Sequence, residues 1–121
     1  MRFDRRRASH ERRQSDRVPA VFAVKKAIAG HDGTPSREIQ LCQAEDIAPT
    51  GITIRRPRGS AALSRAEVAL RFALPGSTEQ ISARGVIVSD GVAGAFRRTG
   101  VRFIALGPDH ERLIAGYCRK K

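Results

Sequence analysis

Aromatic residues are scarce in this sequence, which has no tryptophan, one tyrosine and five phenylalanines among 121 residues. Proteins that bind single-stranded nucleic acid usually stack the bases on exposed aromatic side chains, and this sequence has few residues that could form such a surface.

Cysteine is scarce too. Cys42 and Cys118 lie far apart and outside any CxxC pair, which excludes a disulfide framework and an unaided structural zinc site. We expect both to be small, reduced hydrophobic residues in a cytoplasmic protein.

Long apolar runs are also missing. No stretch approaches the roughly 20 apolar residues that a membrane span needs, so we expect no integral membrane protein. The basic start MRFDRRRASHERR is not followed by an apolar region, so we expect no signal peptide. Neither GxSxG nor a phosphate-binding P-loop occurs, and His10, His31 and His110 lack metal-ligand spacing. We therefore predict no metal, no catalytic residues and no enzymatic activity.

Positive charge is the property in excess. Lysine and arginine number 23 against 12 acidic residues, for a formal net charge of +11. Such an excess indicates an anionic partner: a nucleic acid, a nucleotide or an acidic surface. The length suits one domain. Residues 1–17 contain seven arginines and few large apolar residues, so we expect a flexible basic arm over residues 1–11 and one folded domain over residues 12–118.

The rest of the chain has the pattern of short strands separated by turn residues. The six predicted strands are Val18–Ile28, Glu38–Glu45, a segment centred on Ile52–Ile54, Val68–Phe72, Ile81–Val88 and a segment around Val101–Phe103. Breaks or loops are predicted at 30–36, 55–60 and 90–99, and a type II turn at Leu74–Ser77. Pro108 and the apolar stripe Leu113, Ile114 and Tyr117 indicate a closing helix. This order predicts an all-β-dominated fold, a small six-stranded antiparallel barrel with a short C-terminal helix.

Two motifs offer chemistry for an anionic partner. The first is Arg12-Arg13-Gln14-Ser15-Asp16-Arg17, because a guanidinium fork matches two phosphate oxygens or the O6/N7 edge of guanine. The second runs from Asp46 to Gly51, with a carboxylate that can accept from guanine N–H groups and a glycine that tolerates positive φ. Taken singly, the first motif is also compatible with a solvated charge run and the second with a plain turn.

Together the two motifs resemble the PilZ domain family, the bacterial receptor module for cyclic di-GMP. The signatures of that family are RxxxR and, about thirty residues later, [D/N]xSxxG. This sequence has Arg13-Gln14-Ser15-Asp16-Arg17 and Asp46-Ile47-Ala48-Pro49-Thr50-Gly51. The segments VALRF at 68–72, ISARGV at 81–86 and GVRF at 100–103 are also similar to the family, and the resemblance covers roughly residues 11 to 118.

The resemblance implies a ligand site on the barrel surface. Arg13 and Arg17 would bind phosphate and guanine, Asp46 would bind a guanine edge, and Gly51 would leave room. Arg12 is placed like the arginine that, in this family, is associated with an intercalated pair of ligand molecules. Arg55 is placed like a further contact on the third strand. The implied function is a cyclic di-GMP receptor whose arm becomes ordered on binding and signals to a protein partner.

Ala48 departs from the family pattern, which usually has serine at this position. The missing hydroxyl removes a hydrogen bond worth about 0.5–1.5 kcal/mol, which would weaken binding without abolishing it. Two alternatives stay open: a degenerate PilZ adaptor that binds no ligand, and a small basic nucleic-acid-binding barrel. The motif spacing favours the nucleotide over nucleic acid.

Overall fold

A computed structural model of the chain describes residues 17–28, 39–60 and 65–120. It contains six strands and one helix: β1 Val18–Ile28, β2 Gln40–Ala48, β3 Gly51–Pro57, β4 Glu67–Phe72, β5 Ile81–Ala93, β6 Phe96–Leu106 and α1 Pro108–Lys120. The predicted arm over residues 1–11, together with Arg12 and Arg13, lies outside the described residues.

The six strands form a closed barrel in the order β1-β2-β3-β6-β5-β4, and every neighbouring pair is antiparallel. β1 closes the barrel because it pairs with β2 on one side and with β4 on the other. Closure pairs the strand edges that would otherwise be open to other chains. The predicted six-stranded antiparallel barrel with a C-terminal helix is confirmed.

Alternating side chains fill the interior of the barrel. In β4, Val68, Leu70 and Phe72 are buried while Arg71 between them is exposed, as the alternation of an outward and an inward face requires. The Phe72 ring packs against that of Phe22 on β1, with 5.5 Å between the ring centroids.

Three predicted strand ends are wrong, and the predicted loop at 30–36 lies outside the described residues. β3 continues through Arg55 and Arg56 to Pro57, and β5 and β6 extend through the predicted loop 90–99 as a long hairpin. β2 runs to Ala48, so Asp46 to Ala48 belong to a strand and the β2–β3 turn is only Pro49 and Thr50. The strands were predicted to end at polar residues. In the barrel, Arg55 forms an ion pair with Glu45 of the neighbouring strand, and Arg56 forms an ion pair with Asp90 in the interior.

The type II turn is confirmed: the Ser77 amide donates to the Leu74 carbonyl at 3.0 Å, and Gly76 has φ +81°. The predicted helix and its packing are also confirmed. Ile114 is fully buried, while Leu113 and Tyr117 pack against the core. None of the helices within the described residues is long and apolar enough to cross a membrane.

Candidate functional site

The two sequence motifs meet on the outer face of the barrel. One nitrogen of Arg17, Nη1, donates to Asp46 Oδ1 at 2.9 Å and to Thr53 Oγ1 at 3.1 Å. Arg17 and Asp46 are 29 positions apart in the chain, and the ladder brings them together because Asp46 is paired with Pro19 on β1 and with Thr53 on β3. Thr53 is a site residue that the motifs did not predict.

A β-bulge in β2 places two consecutive acidic side chains on this face. The register between β2 and β3 shifts between Ala44 and Asp46, which leaves Glu45 as an extra residue. Consecutive residues of a regular strand face opposite sides of the sheet, but at a bulge two residues oppose one on the partner strand. Glu45 and Asp46 are accordingly both half-buried, while Ala44 before them and Ile47 after them are buried.

Glu45 joins two arginines from different strands. Its Oε2 accepts from Arg55 Nε at 3.1 Å and from Arg98 Nε at 3.0 Å, and Arg55 and Arg98 are direct partners in the β3–β6 ladder. The Arg55 guanidinium carbon lies 4.5 Å from the centroid of the Phe96 ring, and that of Arg98 lies 5.7 Å from it. Both contacts lie within the roughly 6 Å range of cation–π attraction.

The two arginines determine the ionisation of Glu45. Burial by itself would raise the pKa of the Glu45 carboxyl, but the hydrogen bonds and charges of Arg98 and Arg55 outweigh burial, so the pKa lies below its ordinary value. Glu45 is therefore a carboxylate throughout the neutral pH range. Of this cluster the motif analysis identified only Arg55. The β3–β6 register that brings Arg98 and Phe96 to Arg55, and the β2–β3 pairing that brings Glu45, have no local sequence signal.

Gly51 has a structural role in addition to the ligand contact predicted for it. The described glycines with positive φ are Gly76 and Gly94, so Gly51 does not use the left-handed region. Instead, a Cβ at Gly51 would lie 2.3 Å from the Val101 carbonyl oxygen on β6. Ala48 is directly opposite Gly51 in the β2–β3 ladder and is 2% exposed. Both residues therefore help strands β2, β3 and β6 to pack closely beside Asp46.

A buried polar cluster lies inside the barrel. Two of its residues, Arg56 and Thr99, directly follow Arg55 and Arg98 in the sequence. Arg56 Nη2 and Asp90 Oδ1 are 3.0 Å apart and both side chains are at most 2% exposed. Arg56 Nε donates to the Thr99 hydroxyl, which lies 2.8 Å from the same Asp90 oxygen. Arg97 Nη1 is 3.4 Å from Asp90 Oδ2. These contacts join β3, β5 and β6, and they fix the backbone that carries Arg55 and Arg98 outward.

Lys26 and Cys42 extend the buried cluster. Burial lowers the pKa of the Lys26 ammonium, with a further lowering by Arg56 that Cys42 and Asp90 oppose. Burial raises the pKa of the Cys42 thiol, while Lys26 and Arg56 lower it. Cys42 and Cys118 are both free thiols, as the sequence predicted.

The sequence matches the PilZ domain family over residues 11–120, and the chain belongs to that family. PilZ domains are receptor and adaptor domains, typically for cyclic di-GMP, and no catalytic family is indicated. No relative was found among curated proteins.

Solved structures show the same fold. The chain is similar to the Bacillus subtilis inhibitor of motility MotI/DgrA, with a TM-score of 0.74 and 18% identity over 86% of this chain and 48% of that one. It therefore spans about half the length of that protein. It is also similar to the PilZ domain of CeSA from a cellulose-synthesizing bacterium, with a TM-score of 0.58 and 21% identity over 84% of this chain and 96% of that one. A third is the PilZ domain of Escherichia coli YcgR, solved with c-di-GMP, with a TM-score of 0.57 and 13% identity over 86% of each chain.

Proposed function

We propose that the chain is a cyclic di-GMP receptor that signals to a protein partner through a conformational change of its N-terminal arm. The observation that carries the proposal is the contact of Arg17 with Asp46 and Thr53, which joins the end of the arginine motif to the start of the aspartate motif on one surface. The proposal places the protein in the cytoplasm, in agreement with its two free thiols.

Ligand binding would use the charges already present on this surface. Each phosphate of cyclic di-GMP carries one negative charge, and each guanine offers an O6/N7 acceptor edge and an N–H donor edge. Arg17, with Arg13 and Arg12 ahead of it, supplies guanidinium forks for phosphate and the O6/N7 edge. Asp46 accepts from the N–H edge. The full set of proposed contacts is Arg12, Arg13, Arg17, Asp46, Ala48, Gly51 and Arg55.

The arm responds to the ligand because Arg12 and Arg13 lie between the arm and β1 in the sequence. Contacts between Arg12, Arg13 and a bound dinucleotide would hold the arm across the barrel and create a new surface for the partner. Two intercalated ligand molecules are the proposed stoichiometry.

Calorimetric titration of cyclic di-GMP into the folded chain tests the proposal. We expect Arg17→Ala to abolish binding and Asp46→Ala to weaken it, because each removes a contact to the ligand. Arg112→Ala is the matched control, since this arginine lies on α1 and forms a highly exposed ion pair with Asp109. Absence of heat with the folded wild-type chain at micromolar ligand would refute the proposal, as would wild-type affinity in Arg17→Ala.

Competition separates the two alternatives. A degenerate adaptor would bind neither cyclic di-GMP nor its competitors. This alternative stays open because Ala48 is buried and has no hydroxyl group to offer a ligand. A basic nucleic-acid-binding barrel would prefer short DNA over the dinucleotide. The proposed receptor binds cyclic di-GMP in the presence of excess GTP or short DNA.

A further inference from the structure

Lys25 and Arg71 place two positive charges side by side on the outer face of the barrel. They are direct partners in the β1–β4 ladder, and both are exposed. In the part of the chain that the structure describes, neither forms an ion pair with a carboxylate. Like charges directly opposite each other destabilise a sheet. An anion bound between them would remove this repulsion, so the pair indicates a site for an anionic group.

An apolar groove begins one row along the strands from these charges. Ala27 follows Lys25 by two residues and Ala69 precedes Arg71 by two, so the alanines share the outer face with the charges. The two rows are about 6.6–6.8 Å apart along the strands. Ala27 is recessed, since it is only 6% exposed. One molecule can therefore place an anionic group between the charges and an apolar body against the alanines.

The groove has the size of a small-molecule site. Its volume is about 440 Å³, within the range of roughly 300–1,000 Å³ that is usual for ligand pockets. The alanine row continues across β5 to Ala105 of β6, a distance of about 14 Å at the usual strand spacing. Ile39, which is 64% exposed, also lines the groove. None of the described lining residues is aromatic, so the lining suits an aliphatic chain better than a planar ring.

The groove and the Arg17 contact lie on opposite walls of the barrel. Asp46 and Thr53, which contact Arg17, belong to β2 and β3. In the barrel order, β5 lies across from β2 and β4 lies across from β3. A molecule in the groove therefore does not compete with one bound at Arg17, and both sites can be occupied at once.

We propose that this groove is a second ligand site, which binds a small aliphatic carboxylate. The carboxylate lies between Lys25 and Arg71, and the chain lies along the alanine floor. Arg84 also lines the groove, but it is already paired with Glu67, so Lys25 and Arg71 are the two cations that hold the ligand. The site goes beyond the receptor function proposed above, because it has its own residues and its own class of ligand.

Titration of the isotope-labelled full chain with decanoate, followed by NMR, tests this site without cyclic di-GMP. We expect saturable shifts of the backbone amides of Ala27, Ala69 and Ala105, while those of Asp46 and Thr53 stay in place. Decyltrimethylammonium has the same chain with a cationic head, and acetate has the carboxylate without the chain. Each should bind at least about tenfold more weakly than decanoate, because one lacks the charge-assisted contact and the other buries little apolar surface.

Variants on each half of the site identify its contacts. Arg71→Gln removes a guanidinium and should weaken decanoate binding about tenfold. Arg112→Gln makes the same change in an exposed arginine of α1 and should bind as the wild type does. Lys25→Gln should weaken binding in the same way as Arg71→Gln, and it keeps the test valid should that variant not fold.

The floor has its own pair of variants. Ala69→Leu puts a larger side chain into the groove and should weaken decanoate binding several-fold. Ala23→Leu is the matched control, because Ala23 is an exposed alanine of β1 outside the described lining of the groove. It should leave decanoate binding unchanged.

Three results would overturn the second site. The first is a wild-type chain whose amides show no saturable shift with decanoate. The second is equal affinity for decanoate in Arg71→Gln and Arg112→Gln. The third is co-sedimentation with phosphatidylglycerol vesicles without binding of monomeric decanoate, which would make the groove a contact for a membrane surface. None of these results would affect the receptor function, which depends on Arg17 and is measured with cyclic di-GMP.

Discussion

Gly51 shows how a single residue of the ligand motif can serve the fold. It begins β3 opposite Arg102 of β6, and the Val101 carbonyl oxygen occupies the space that any side chain at position 51 would need. A Cβ at 2.3 Å from backbone oxygen cannot be relieved by rotating a side chain, so the strands themselves would have to separate. The glycine of the motif is therefore explained by strand packing next to Asp46.

We predict that Gly51→Ala lowers the free energy of unfolding by about 1–3 kcal/mol, the usual cost of overpacking a close contact. Urea denaturation measures this as a lower midpoint. Gly91→Ala is the control, because a Cβ at Gly91 on β5 would meet no atom within 4 Å and should leave stability nearly unchanged. A wild-type midpoint in Gly51→Ala would contradict this interpretation.

Asp90 is the second residue with a large expected effect. It is the carboxylate of the buried cluster and contacts Arg56, Arg97 and Thr99. Lys26, which is 4% exposed, adds a further cation nearby. Loss of the Asp90 charge would leave buried positive charges without compensation, which is far more costly than losing an exposed ion pair.

Asp90→Asn should accordingly destabilise the protein by about 3–5 kcal/mol. Thermal or urea denaturation gives the change directly. Asp109→Asn makes the same substitution in an ion pair whose side chains are 78% and 85% exposed, and it should cost no more than about 1 kcal/mol, the usual contribution of an exposed charge at a helix end. The cluster would not be important for stability if both variants denatured alike.

At the scale of elements, α1 matters because its apolar face packs against the barrel. Pro108 begins the helix, Asp109 and Glu111 lie in its first turn, and Arg119 and Lys120 lie in its last turn, where each charge suits the helix dipole. Ile114 is the fully buried residue of this helix. Cys118 Sγ, 3.6 Å from the Ile47 carbonyl of β2, adds a contact near the end of the strand that carries Asp46.

Ile114→Ala should cost about 2–5 kcal/mol in stability, since it removes a buried side chain and leaves a cavity. Ile104→Ala on β6 is the matched control because Ile104 is 45% exposed. Denaturation followed by circular dichroism compares the two. Similar midpoints would mean that the helix contributes little to the barrel.

On the scale of the whole molecule, the net charge of +11 attracts any anion, so charge alone does not distinguish a nucleotide receptor from a nucleic-acid-binding protein. The distinction lies in how many phosphates are contacted. A protein that contacts six to ten phosphates of DNA loses about 10³–10⁵ in affinity between 50 and 200 mM salt. A receptor for a ligand with two phosphates has far fewer charges to screen.

We therefore expect the affinity for cyclic di-GMP to fall by at most about a hundredfold between 50 and 200 mM salt, because the ligand has few phosphates. Titrations at 50 and 200 mM salt measure the change, with a short DNA duplex as the comparison. Tight duplex binding with a steep salt dependence would favour the nucleic-acid-binding alternative.

The sequence by itself determined the number and order of the strands, the closing helix, the Leu74–Ser77 turn and the family. These depend on local patterns: alternation of apolar residues, proline and glycine at turns, and two short motifs. The strands predicted from the sequence ended too early, at Arg55 and at Asp90. A polar segment has the composition of a loop when the residues that pair with its polar groups are distant in the chain.

Only the tertiary structure decided which residues meet. The bulge at Glu45 turns two acidic side chains outward, and the β3–β6 register brings Arg98 to Arg55 across 43 positions of the chain and Phe96 across 41. The partner of buried Arg56 is likewise set by the barrel, since Asp90 is 34 positions away. Such pairings depend on ladder register and barrel closure, which arise from the packing of all six strands together and leave no local mark in the sequence.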